Sequence, residues 1–160
     1  SGGDFSFEQA LLSAELMLSS KGRALLMGAD EAHPQLTPLL DPSVDEDTPP
    51  ADGGGCLFVG RGQQDALCTV NLLYYGAADT GGAMEFLLHS LGGRNELRKR
   101  CALVLAGLPG AVRPKAEQQL QEFLARSGLR VPVVRYRELT GEFAAASAVA
   151  ATLAVNLSAN

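Results

Sequence analysis

The run Arg135-Tyr-Arg-Glu-Leu-Thr-Gly-Glu-Phe-Ala-Ala-Ala-Ser-Ala-Val-Ala-Ala-Thr-Leu-Ala-Val155 decides how this chain folds. From Phe143 to Val155 it carries no charge and is crowded with small side chains. A helix read over Glu142 to Leu157 therefore has no solvent face and must be covered all round. Upstream of it the segments alternate: a strand at Ala102 to Ala106, a helix from Pro114 to Ser127 closed by Gly128, and a strand at Val131 to Tyr136. Pro114 suits a first helical turn and Gly128 a helix end. Such alternation predicts an α/β unit in which parallel strands are joined by a crossover helix.

Working back toward the N-terminus, Ser6-Phe-Glu-Gln matches a capping box. A helix is expected from Asp4–Ser6 to about Ser20, with Phe7, Leu11, Ala14 and Leu18 on one face. Ala24 to Met27 reads as a buried strand, and residues 32–52, acidic and rich in proline, as a solvated loop. After Gly53-Gly54-Gly55, the apolar runs Cys56 to Val59 and Ala66 to Tyr75 flank Gly60-Arg61-Gly62, which predicts a hairpin of two strands. Met84, Leu87, Leu88 and Leu91 have helical spacing, so a short helix is expected over Ala83 to Leu91, ended by Gly92-Gly93.

The 160 residues suit one domain, 1–160, and 46% hydrophobic with 19% charged residues is a globular composition. A formal charge of -5 disfavours nucleic acid, whose phosphates require clustered Lys and Arg. Cys56, Cys68 and Cys101 are odd in number and widely spaced, fitting neither a disulfide framework nor a zinc site. They are expected to be buried structural thiols in a reducing, cytoplasmic setting. No apolar stretch reaches the roughly 18 residues of a membrane span, and the N-terminus has no basic-then-apolar signal pattern.

Taken in order, several segments resemble β-ketoacyl synthases of the thiolase-like superfamily. Ser6 to Glu15 resembles the buried helix that follows the nucleophile, Gly22 to Glu31 the next strand and its turn, and Asp52 to Val59 a strand carrying an Asp-Gly-Ala-Gly run. Arg135 to Ala148 resembles the closing Lys…Thr-Gly-His segment and its small-residue helix. The likeness is greatest to the short, chain-length-factor-like members. It implies an α-β-α-β-α layering with mixed sheets, in which the helices at 6–20 and 142–157 are the two buried central ones. It also implies that the strands preceding the first helix and the last strands of the second half lie outside this chain.

Carried over residue by residue, the resemblance removes the condensing chemistry. The nucleophilic cysteine position falls at or beside Asp4, which can cap a helix but cannot form a thioester. The first histidine position is occupied or adjoined by Ala106, the second is Glu142, and the lysine before it is Arg137. Alanine cannot donate a hydrogen bond to an oxyanion, and Glu142 reads as a first-turn carboxylate on the helix dipole. His33 and His89 match no family position; they read as a loop residue and an exposed helix residue. Gly60-Arg61-Gly62 leads into no helix, and the glycines of Gly107 to Lys115 lack Gly-Lys-Ser/Thr, so neither makes a phosphate site.

The expectation is a non-catalytic synthase-like protein, a partner or chain-length-factor-like subunit in fatty-acid or polyketide-type biosynthesis. It would form a homodimer or a heterodimer with an active ketosynthase, with an acyl carrier protein as a further partner and no cofactor or metal. The rival is an active acyltransferase on acyl-carrier or acyl-CoA thioesters that uses other residues, with Asp4, Glu31 and Glu142 as its carboxylates.

Overall fold

Period-two burial organises the first sheet. In Arg23–Asp30 (β1), Leu26 is buried and Ala24 partly so, while Arg23, Leu25 and Met27 are exposed. In Gly53–Gly60 (β2), Leu57 is buried and Cys56 and Phe58 are exposed. The two strands pair antiparallel in unbroken register, with Arg23 opposite Gly60, Leu26 opposite Leu57 and Asp30 opposite Gly53. The computed structural model describes residues 6–31, 51–62, 65–73 and 82–159. Asp4, His33 and the expected loop up to residue 50 lie outside the described residues.

Six helices and two small sheets are present among the described residues, a mixed α/β fold. The remaining elements are α1 (Ser6–Met17), α2 (Ala83–Ser90), α3 (Gly93–Arg100), β3 (Val104–Ala106), α4 (Arg113–Ser127), β4 (Val133–Arg135), α5 (Tyr136–Thr140) and α6 (Ala146–Ser158). β3 and β4 run parallel with Val104 opposite Val133, and α4 is the connection between them, as the alternation predicts. Pro114 lies in the first turn of α4, and Gly128 ends it in the left-handed conformation at φ 66°.

Among the described residues the expected hairpin is not formed. β2 pairs with β1 instead, and residues 65–73 contain no strand. The reason is that β1 and β2 present Leu26 and Leu57 to one core, whereas Leu67 and Val70 remain 69% and 47% exposed.

α1 and α6 both lie on the inner face of the β1–β2 sheet, where Phe7, Ala14, Leu26, Leu57 and Ala148 form one buried cluster. As expected, Leu11 and Leu18 join Phe7 and Ala14 on that face of α1. α6 sits close against the strands because they carry glycine where it crosses. A Cβ at Gly55 would lie 2.6 Å from the carbonyl carbon of Ala148, and one at Gly28 would lie 2.9 Å from its Cβ. The opposite side of α6, with Ala146, Val149 and Ala150, packs on Tyr136, Phe143 and Leu105 of β3.

Two expectations about this helix require correction. α6 begins at Ala146, so Glu142 is not in its first turn. Nor is the helix covered throughout: Ala146 and Ala148 are fully buried, but Leu153 and Leu157 are 44% and 60% exposed. β3 and β4 are only three residues each, and the strands that α6 chiefly packs against are β1 and β2.

A third cluster joins Leu88 of α2, Leu97 of α3 and Leu129 after α4. Gly92 ends α2 in the left-handed conformation, but a new helix starts at once at Gly93. Its sequence, GRNELRKR, has a single apolar residue and so no readable periodicity; docking of Leu97 on Leu88 and Leu129 stabilises it.

Candidate functional site

Arg137 and Glu142 are the two buried charged residues among those described, 3% and 1% exposed. α5 ends at Gly141, whose φ of 84° reverses the chain and returns Glu142 toward Arg137. Nη1 of Arg137 then donates to Oε1 of Glu142 and, at 3.4 Å, to the carbonyl of Phe143. The backbone carbonyl of Glu142 accepts from the N–H of Ala51 at 3.2 Å, tying this turn to the approach to β2. A buried ion pair of this kind is costly to desolvate and still more costly to break.

Around the pair lie side chains from α1 and α6. Ser147, in the first turn of α6, donates its hydroxyl to Oε2 of Glu8 in the first turn of α1 at 3.0 Å. The Tyr136 phenol lies against Gly107, where no side chain larger than hydrogen would fit beside it. Burial pushes the Tyr136 pKa up from 10.0, partly opposed by the neighbouring Arg137 charge and reinforced by Glu8. The phenol therefore stays protonated, and its oxygen accepts a hydrogen bond from Arg137. At the other end of the turn, the backbone N–H of Ala144 donates to Oδ2 of Asp30 at 2.8 Å.

The residues singled out from the sequence divide accordingly. Arg137 and Glu142 are brought together, and Ala106 is buried at the end of β3, opposite Arg135 in the parallel register. Glu31 is exposed at the end of β1, and His89 is exposed on α2. The thiols are not buried as expected: Cys56 is exposed on the outer face of β2, while Cys68 and Cys101 are half-buried. Period two puts Cys56 on the outer face, because its neighbours Gly55 and Leu57 take the inner one. Glu8, Tyr136 and Ser147 were not distinguished by any motif, since their relation is purely spatial.

No family model, curated protein or solved structure matches this chain. Its chemistry must be read from the cluster itself. Among the described residues no group of three His, Cys, Asp or Glu could hold a metal ion, and no helix is long and apolar enough to cross a membrane. The cluster offers a protonated phenol, the Ser147 hydroxyl on Glu8 and a neutralised carboxylate–guanidinium pair. Such a set can hold two helix starts in place.

Proposed function

We propose that this chain is a non-catalytic β-ketoacyl synthase-like subunit with thiolase-like layering, acting beside an active synthase in fatty-acid or polyketide-type biosynthesis. The observation that carries this reading is the filling of the place where α1 and α6 begin. Arg137 and Glu142 pair there in full burial, with Phe143 and Ala146 packed beside them. The layering is supported by α6 itself, which packs on β1 and β2 on one side and on Tyr136 and Phe143 on the other. A partner is supported by the apolar surface left over, since Leu153 and Leu157 continue the covered face of α6 into solvent.

The rival acyltransferase gains nothing comparable. Glu142 is engaged by Arg137, and Glu31 is solvent-exposed. Incubation with an acyl-carrier thioester followed by intact-protein mass spectrometry tests the proposal. The expected result is no covalent adduct and no condensed product from the chain alone. A stoichiometric acyl adduct would overturn the non-catalytic reading. Failure to co-purify with an active synthase on co-expression would overturn the subunit role.

A further inference from the structure

We propose that the outer face of the β1–β2 sheet is a dimer interface, on which a second copy of this chain packs with its strands turned end for end. This inference concerns the face of the sheet opposite α1 and α6 and does not rest on the synthase reading.

Strand register and exposure put one set of side chains on that face. Arg23 stands opposite Gly60, Leu25 opposite Phe58, Met27 opposite Cys56 and Ala29 opposite Gly54. Leu25, Met27 and Phe58 are each more than half exposed, and Cys56 and Ala29 are exposed as well. Two contacts verify the shared face. The Arg23 guanidinium lies 5.9 Å from the centre of the Phe58 ring, and a Cβ at Gly54 would stand 3.3 Å from that of Ala29.

A sheet with one face on a core and the other in water alternates apolar and polar residues. In β1 and β2 the inward Leu26 and Leu57 alternate instead with Leu25, Met27, Cys56 and Phe58, none of which joins the core cluster. The outer face therefore carries apolar side chains that the fold of one copy leaves in solvent.

That face is its own complement in size and in charge. Reversing the strands about the Met27–Cys56 rung lays Leu25 and Phe58 over Ala29 and Gly54 of the other copy, bulky over bare, and the two-fold axis repeats the contact on its other side. Arg23 and the exposed Glu31 lie four residues before and four residues after Met27. The same reversal thus brings each Arg23 over Glu31 of the other copy, and the face between these two ends has no charge. Packed sheets stand about 10 Å apart, so the two Cys56 thiols meet across the axis at a separation too wide for a disulfide and within reach of a short bismaleimide. Two strands of eight residues reach at most the low end of specific interfaces, about 1,200 Å² in total, which makes the dimer weak and dependent on concentration.

Sedimentation velocity over a concentration series tests this. Wild type is expected to dimerise reversibly, and Phe58→Glu to lose at least about tenfold in affinity, with Leu25→Lys as a second variant should the first not fold. Arg23→Glu and Glu31→Arg should each weaken the dimer alone and restore it when the two variants are mixed, because a mixed pair sets opposite charges together at both ends. A partner other than this same face would not respond to mixing. A short bismaleimide should cross-link wild type and not Cys56→Ser, and circular dichroism verifies that each variant is folded. The proposal is overturned if wild type stays monomeric at every concentration, if the folded Phe58→Glu and Leu25→Lys variants dimerise unchanged, or if the charge variants dimerise as wild type does or are not restored by mixing. A monomer whose Cys56 also resists maleimide would overturn it in favour of a cover from within the chain.

Discussion

Arg135 and Arg137 stand two residues apart, and each meets a carboxylate, yet the two pairs do opposite work. Arg135 ends β4 and reaches out to Glu117 on α4, with Nε to Oε2 at 3.1 Å and Nη2 to Oε1 at 2.7 Å, a two-bonded fork about a third exposed. Arg137 is already within α5, points inward, and pairs with Glu142 in a space closed to water. The strand ends between them, so residues that would have shared one face of a longer strand are sent to opposite environments. The lesson is that burial, more than the number of hydrogen bonds, sets what an ion pair is worth. The exposed fork is the better formed and contributes little net stability, because water and salt compete for it. The buried pair must be kept whole.

The largest expected effect follows from dividing the buried pair. Glu142→Ala or Arg137→Ala leaves a charge in the core and should lower unfolding free energy by about 3–5 kcal/mol, measured as a shift in urea midpoint. Removing both charges with Arg137→Met and Glu142→Leu should recover most of that loss, since an apolar pair of similar volume avoids desolvation. If the double variant is no better than the singles, the pair is more than a filler and the comparison fails on its buried side.

A smaller effect is expected from the phenol beside the pair. Tyr136→Phe removes a buried hydroxyl that accepts from Arg137 and should cost about 1–2 kcal/mol. Its pH signature has a definite sign. The folded pKa is raised above the ordinary value of 10.0, mainly by burial, so the contribution is complete below pH 10 and is lost as pH rises beyond it. Wild type should therefore lose more stability than Tyr136→Phe between pH 9 and the alkaline limit of the protein. Equal loss would mean that the phenol is not shut away from water.

Much of this arrangement was legible in the sequence, and the parts that were not share a cause. α4 with its flanking strands was readable because Pro114 and Gly128 mark its ends and the apolar runs on either side are short. α6 was readable from composition, but its start was not. Glu142-Phe-Ala-Ala is a good helical opening by local preference, and only long-range contacts, Ala51 to Glu142 and Asp30 to Ala144, hold those residues out of the helix. Likewise β2 had two plausible strand neighbours, and the choice of β1 rested on a core shared with α1 and α6 that no local pattern displays. Arg137 and Glu142 were marked by the resemblance to synthases, yet their union depends on the positive φ of Gly141, and Glu8 and Ser147 enter only because two helices far apart in sequence start side by side.

The exposed fork supplies the smallest test and the sharpest contrast. Hydrogen bonds from Arg135, and next from Gln121, hold the Glu117 carboxyl at about 2 instead of 4.5. Because the folded pKa is depressed, its contribution is present above pH 4.5 and drains away as pH falls toward 2. Glu117→Gln should change neutral-pH stability less than any variant above. It should, however, flatten the acid limb of the stability profile between those two values. Raising the salt concentration should shrink the difference between wild type and Glu117→Gln, as water-accessible charges are screened, and should leave the loss in Glu142→Ala nearly unchanged. Equal salt sensitivity in the two variants would show that the environments of Arg135 and Arg137 are not as different as their exposure indicates.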